Sequence, residues 1–218
     1  MKGALSPLQV RVLELLSPLT PRWALTGGGA LAGFHLGHRT TRDLDLFWHG
    51  AHELLTKPHE VAELLREAGI GVENIVNAKS FCRMHVSSGN EVVVVDLVAD
   101  PVAVIVPPQE TKVGNAMILV DSAHEILVNK LCTLLSRSEV RDLMDIKALL
   151  AAEGDLKRAM GDAPKKDGGF SPLTLAWLLR DFPLRSLAKA EGLSEDVIQD
   201  LERFRSELSN QLAVDARP

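Results

Sequence analysis

The segment Val92-Val93-Val94-Val95-Asp96-Leu97-Val98 leaves a folding chain little choice. Six of its seven residues are apolar and most are β-branched, a composition that fits a strand lying inside a sheet rather than at its edge. Asp96 in the middle then needs a reason, because an ionised carboxylate held away from water is costly unless a cation or hydrogen bonds compensate it. The residues before it predict the partner strand. Positions 80–86 and 91–98 read as a hairpin closed around Ser88-Gly89-Asn90.

A second acidic strand lies upstream. Residues 44–48, Leu-Asp-Leu-Phe-Trp, have strand propensity, and period-two alternation places Asp43 and Asp45 on one face. Two carboxylates that close repel one another unless a cation lies between them, so stability alone would not select them. Before them come a short apolar strand at 23–25, the run Gly27-Gly28-Gly29, and Ala30, Leu31, Ala32, Phe34 and Leu36, which suit a short helix packed on that strand. The predicted order is strand, glycine turn, helix. The run is not a Walker A loop, since no Lys-Ser/Thr follows it, and it lacks dinucleotide-fingerprint spacing.

The rest of the chain divides by pattern. Residues 5–16 predict a helix, broken by Pro18 and Pro21, and residues 59–68 a second one ended by Gly69 and Gly71. Past Pro101, Pro107 and Pro108 the character turns helical, with three-and-four spacing over 121–137 and 141–153. Ser122 and Glu125 have capping-box spacing. Residues 161–169, with Pro164, Lys165, Lys166, Gly168 and Gly169, predict an exposed loop, followed by helices at 172–180, 184–191 and 194–212. These elements define an α+β fold with a mixed sheet in residues 1–120, then a helical domain in 121–218.

Bulk properties remove other classes. At 218 residues and 46% hydrophobic content the chain buries a core without staples. Its two cysteines, Cys82 and Cys132, form neither a CxxC pair nor a zinc-ligand spacing, as expected for a reducing cytoplasm. Lys2, Arg11 and Glu14 interrupt the amphipathic N-terminus, unlike a signal peptide, and no window offers the roughly 18 apolar residues of a membrane span. A soluble, cytoplasmic protein is expected. A net charge of −5 argues against general charge-driven nucleic-acid binding and leaves room for a local basic groove.

Gly28-Gly29, then thirteen residues, then Asp43-Leu44-Asp45, then Asp96 about fifty residues on, is an order that resembles the nucleotidyltransferase superfamily. More closely, Gly28-Gly29-Ala30-Leu31 and His38-Arg39-Thr40-Thr41-Arg42-Asp43-Leu44-Asp45-Leu46-Phe47 resemble the AbiEii/AbiGii toxin family, and Lys130, Arg137, Arg141-Asp142 and Asp145 extend the likeness across roughly residues 23–150. The resemblance implies a nucleotidyltransferase fold and transfer of a nucleoside monophosphate from an NTP to a hydroxyl acceptor, with tRNA 3′ ends among the acceptors of some relatives, and a cognate antitoxin as partner. It also implies site residues. Asp43, Asp45 and Asp96 would hold Mg²⁺, a hard cation suited to a few carboxylates plus substrate phosphates. A second Mg²⁺ shared with Asp96 would activate the acceptor hydroxyl. Gly28 and Gly29 would let the backbone approach the β- and γ-phosphates, with Arg39, Thr40 and Arg42 beside the aspartates. Lys130 would reach the triphosphate, and Asp142 or Asp145 would orient it or the acceptor.

The residues admit other readings. Asp100 ends the same apolar run as Asp96 and is an alternative third ligand. Lys130 also fits a lysine snorkelling from a buried helix, and Asp142 with Asp145, three apart, equally fit a structural network with Lys130 or Arg137. His35, His38 and His49 read as structural or solvated, because metal activation removes the need for a histidine base. At the level of function the rivals are a small-molecule adenylyltransferase of the antibiotic-modifying kind and a catalytically silent binding module.

Overall fold

The computed structural model describes residues 5–215, so Lys2 lies outside the described residues. The chain forms two compact units, Met1–Ala123 and His124–Pro218.

The first unit is built on a seven-stranded mixed sheet. Its elements are α1 (Pro7–Leu16), β1 (Ala24–Thr26), α2 (Gly27–Ala30, continued by a π-helical turn Leu31–His35), β2 (Asp43–His49), α3 (Lys57–Glu67), β3 (Gly71–Asn77), β4 (Phe81–Ser88), β5 (Glu91–Asp100), β6 (Gln109–Val113) and β7 (Ala116–Val120). The strand order is β3-β4-β5-β2-β1-β7-β6. β5 is parallel to β2 and β7 is parallel to β1, while the remaining neighbours are antiparallel. The valine-rich strand is therefore interior, as its composition requires. Val93, Val95, Leu97 and Ala99 are buried on one of its faces, alongside Leu44, Leu46 and Trp48 of β2 and Met84 and Val86 of β4. Helix α1 adds Leu8, Val12, Leu13 and Leu16 to this core, and α3 adds Val61 and Leu65.

Local signals explain several element ends. Ser6 caps α1 and forms a capping box with Gln9, which satisfies two otherwise orphaned backbone donors. Gly89, at φ 58°, opens the two-residue turn between β4 and β5, where positive φ lets the turn match the strand twist.

The structure departs from the sequence reading in four places. Strands β3, β6 and β7 stand where no strand was expected. Nearly every residue of β3 is exposed, so this edge strand shows no apolar alternation, and β6 is almost wholly polar. The glycine run is not a turn ahead of a helix; Gly27–Gly29 are themselves the first helical residues. In the second unit, most of the expected loop at 161–169 belongs to a helix, whose N-cap Asp155 accepts from the Arg158 N–H.

That second unit is all-helical among its described residues. It comprises α4 (Ala123–Ser136, whose first residue lies at the unit boundary), α5 (Val140–Ala151), α6 (Leu156–Lys166), α7 (Pro172–Asp181), α8 (Leu184–Ala190) and α9 (Glu195–Asp215). The long helix α9 packs on α5, α7 and α8 through Ile198, Leu201, Leu208 and Leu212. No helix among the described residues is long and apolar enough to cross a membrane.

Candidate active site

Alternation along β2 decides which side chains leave the core. Leu44, Leu46 and Trp48 are buried, while Asp43, Asp45, Phe47 and His49 occupy the other face at intermediate exposure. Register then fixes their neighbours. Asp45 pairs with Asp96 on β5 and with Thr26 on β1, and Asp96 pairs in turn with Arg83 on β4. Paired residues on adjacent strands share a face, so Arg83, Asp96, Asp45 and Thr26 form one row across four strands. Asp43, two residues before Asp45, lies on the same face.

Three carboxylates thus share one face, and the structure supplies a cation the sequence reading overlooked. The Arg83 guanidinium grips Asp96 with two parallel bonds, Nε to Oδ1 at 2.8 Å and Nη2 to Oδ2 at 2.6 Å. This planar fork is the strong, geometrically selective form of a charged pair. The hydrogen bonding to Asp96, opposed by partial burial and reinforced by the charges of Asp96, Asp43 and Asp45, raises the Arg83 pKa. Asp96 is 8% exposed at its side chain, whereas Arg83 is 45% exposed and also lies over the Phe81 ring at 5.7 Å. Among the described residues, no three His, Cys, Asp or Glu side chains are grouped to hold a metal ion as they stand. The oxygen donors of Asp43, Asp45 and Asp96 suit a hard cation in kind and share one face, but both oxygens of Asp96 are engaged by Arg83.

The glycine run abuts this row. Gly27 has φ 58°, and a side chain there would collide with the Asp45 carboxylate. A Cβ on Gly28 would meet Arg39 Nη2 at 3.0 Å and Thr41 Oγ1 at 3.3 Å, and one on Gly29 would meet Leu25, the Asp43 carbonyl and Leu44 at 3.2 to 3.4 Å. The space freed by the missing side chains is therefore filled by the acidic strand and its lead-in. In that lead-in, Arg39 donates to the Thr40 carbonyl, Gln9 donates to the Thr41 carbonyl, and Thr40 and Arg42 are exposed.

Asp100 has separate commitments. Its Oδ2 faces His49 Nδ1 at 3.2 Å, its Oδ1 accepts from the Val102 N–H, and His49 Nε2 reaches Asp121 Oδ1 at 3.0 Å. Burial pulls the His49 pKa down, but hydrogen bonds to Asp100 and Asp121, with their charges, outweigh it and raise the value to about 9. His49 is a partly buried imidazole held between two carboxylates, an arrangement suited to a structural role.

Lys130, Asp142 and Asp145 come together within the helical unit. Lys130 Nζ lies 2.6 Å from Asp142 Oδ1 and 2.9 Å from Asp145 Oδ2, and Arg137 Nε adds a bond of 2.9 Å to Asp142 Oδ2. Burial would lower the Lys130 pKa, but the charges of Asp145 and Asp142 reverse this and raise it.

A mixed sheet with paired aspartates on an inner strand, a third on its parallel neighbour and a glycine-led helix beside them defines a nucleotidyltransferase fold. The profile of the family described as nucleotidyl transferase AbiEii toxin, Type IV TA system, matches residues 11–213. The chain belongs to that family. Its fold is shared by JHP933 from Helicobacter pylori, at TM-score 0.55 and 18% identity over 99% of this chain and 94% of that one. MenT4, a nucleotidyltransferase toxin from Mycobacterium tuberculosis, is similar at TM-score 0.55 and 21% identity over 96% and 91%. An antigenic nucleotidyltransferase-like protein from Paracoccidioides brasiliensis gives TM-score 0.50 and 18% identity over 85% and 94%. No curated protein sequence matches the chain.

Proposed function

We propose that the protein is the toxin of a toxin–antitoxin pair and transfers a nucleoside monophosphate from an NTP to a hydroxyl of RNA, at the 3′ end of tRNA, with Mg²⁺ as cofactor. The carrying observation is the shared face of Asp43, Asp45 and Asp96. Family membership supports the reaction class.

In this reading Asp43, Asp45 and Asp96 would hold Mg²⁺. The bound ion would supply charge neutralisation on the phosphates and acidify the acceptor hydroxyl. The protein's own residues do the positioning. Gly27 keeps the Asp45 carboxylate where it is, because any larger residue would displace it. Gly28 and Gly29, with Arg39, Thr40 and Arg42, form the proposed phosphate side. Leu44 and Leu46, buried behind the acidic face, hold the strand in register, since a one-residue slip would turn both aspartates into the core.

The test is a screen of all four α-labelled NTPs against total cellular RNA, with aminoglycosides in a parallel arm and Mg²⁺ throughout. Label in one RNA class fixes donor and acceptor together. Label in the aminoglycoside alone replaces RNA with a small-molecule acceptor, and toxicity that survives Asp45→Ala assigns the protein to partner binding instead.

A further inference from the structure

Each oxygen of Asp96 accepts one bond from Arg83, and a divalent ion shared by β2 and β5 would draw on the same two oxygens through their remaining lone pairs. Two cations therefore compete for one carboxylate. A guanidinium and a divalent ion at contact distance also repel each other, so simultaneous occupation is unfavourable. The two partners differ in freedom. Asp96 is fixed on an interior strand and nearly buried, whereas Arg83 stands 45% exposed at the end of a long side chain. Among the described residues Arg83 donates to Asp96 through Nε and Nη2 and lies over the Phe81 ring. The charges of Asp43 and Asp45 add to the hold of Asp96 on it, and all three belong to the row that a divalent ion would occupy.

We propose that Arg83 is a positioning residue that sets the divalent-ion affinity of the site: it holds Asp96 in the metal-free protein and swings toward solvent when the ion binds. This rests on the reading of the acidic face as a metal site. The arginine has two effects. It offsets one of the three carboxylate charges while no ion is present, which eases the repulsion between acids on neighbouring strands. It also weakens metal binding in the absence of nucleotide, because its own pair must first open.

The probe is Mn²⁺, followed by electron paramagnetic resonance without nucleotide, so that no readout depends on turnover. Arg83→Gln is expected to bind Mn²⁺ about tenfold more tightly than the wild type, the size of releasing one charge-assisted pair. Arg83→Lys, which keeps the charge, stays near the wild-type affinity, and Asp96→Asn binds more weakly than the wild type. Equal or weaker binding by Arg83→Gln overturns the proposal while leaving the metal site intact. Absence of Mn²⁺ binding by every form, up to saturating concentrations, overturns the metal reading and the proposal together. Should Arg83→Gln fail to fold, the wild type decides: titration with Mg²⁺ must shift the Arg83 Nε–H resonance in step with metal binding. A resonance that stays fixed while the site saturates contradicts the exchange.

Discussion

The sheet unit and the helical unit each place a cation between carboxylates, and they do so in opposite ways. In the helical unit Lys130 is held by Asp142 and Asp145, whose side chains are 1% and 0% exposed, and Lys130 itself is only 10% exposed. This cluster is closed and depends on α4 and α5, neighbours in sequence. On the sheet, Arg83 meets Asp96 from a half-exposed position, and Asp43 and Asp45 are also partly open to solvent. These four side chains draw on three of the row's strands, and they are brought together only through register. The contrast teaches that a closed pair is committed to the fold, whereas an open one leaves its charges within reach of a ligand.

If the closed cluster is structural, breaking it should produce the largest stability loss. Lys130→Ala is expected to destabilise the protein by about 3–5 kcal/mol, because removing one partner strands buried carboxylates. Lys130→Met, which keeps the volume, should lose nearly as much, and urea midpoints measure both. A loss confined to the alanine variant would mean that packing, not charge, holds the cluster.

His49 offers an intermediate effect inside the sheet unit. Its folded pKa of about 9 stands above the ordinary 6.5. The imidazolium therefore contributes stability that is fully present below about pH 6.5 and is lost as pH rises through about 9. The shift corresponds to on the order of 3 kcal/mol. Denaturant midpoints between pH 6 and pH 10 should fall in the wild type and flatten in His49→Gln.

The smallest loss of stability is expected at Gly27. Gly27→Ala places a non-glycine residue at positive φ, at a cost of about 1–2 kcal/mol, and pushes on the Asp45 carboxylate. Nucleotide transfer should fall by more than this destabilisation explains, which a melting curve and a transfer assay on the same sample would separate.

Much of this contrast was legible in the sequence. Alternation in Asp43–His49 gave the shared face of Asp43 and Asp45, and the valine run gave an interior strand with Asp96 on it. The three-residue spacing of Asp142 and Asp145 allowed their network with Lys130 and Arg137. Arg83 was missed because a cation on one strand finds its carboxylate on another only through the pairing register. The signal was present: counting back from Ser88 opposite Glu91 brings Arg83 opposite Asp96. The β6–β7 hairpin was missed for a related reason. Ala116–Val120 is a short apolar run that periodicity alone assigns to helix or strand, and only the Gly114-Asn115 turn, with Gly114 at φ 52°, marks it as β.

The most direct test compares transfer of label from an α-labelled NTP to RNA by the wild type, Asp45→Asn and, as a control on an exposed pair, Arg22→Ala. Asp45→Asn should lose roughly 10²–10³-fold in rate, as when one preorganised electrostatic contact is removed, with its melting temperature preserved and Arg22→Ala unaffected. Transfer by Asp45→Asn at the wild-type rate would contradict the assignment of the acidic face as the reaction centre.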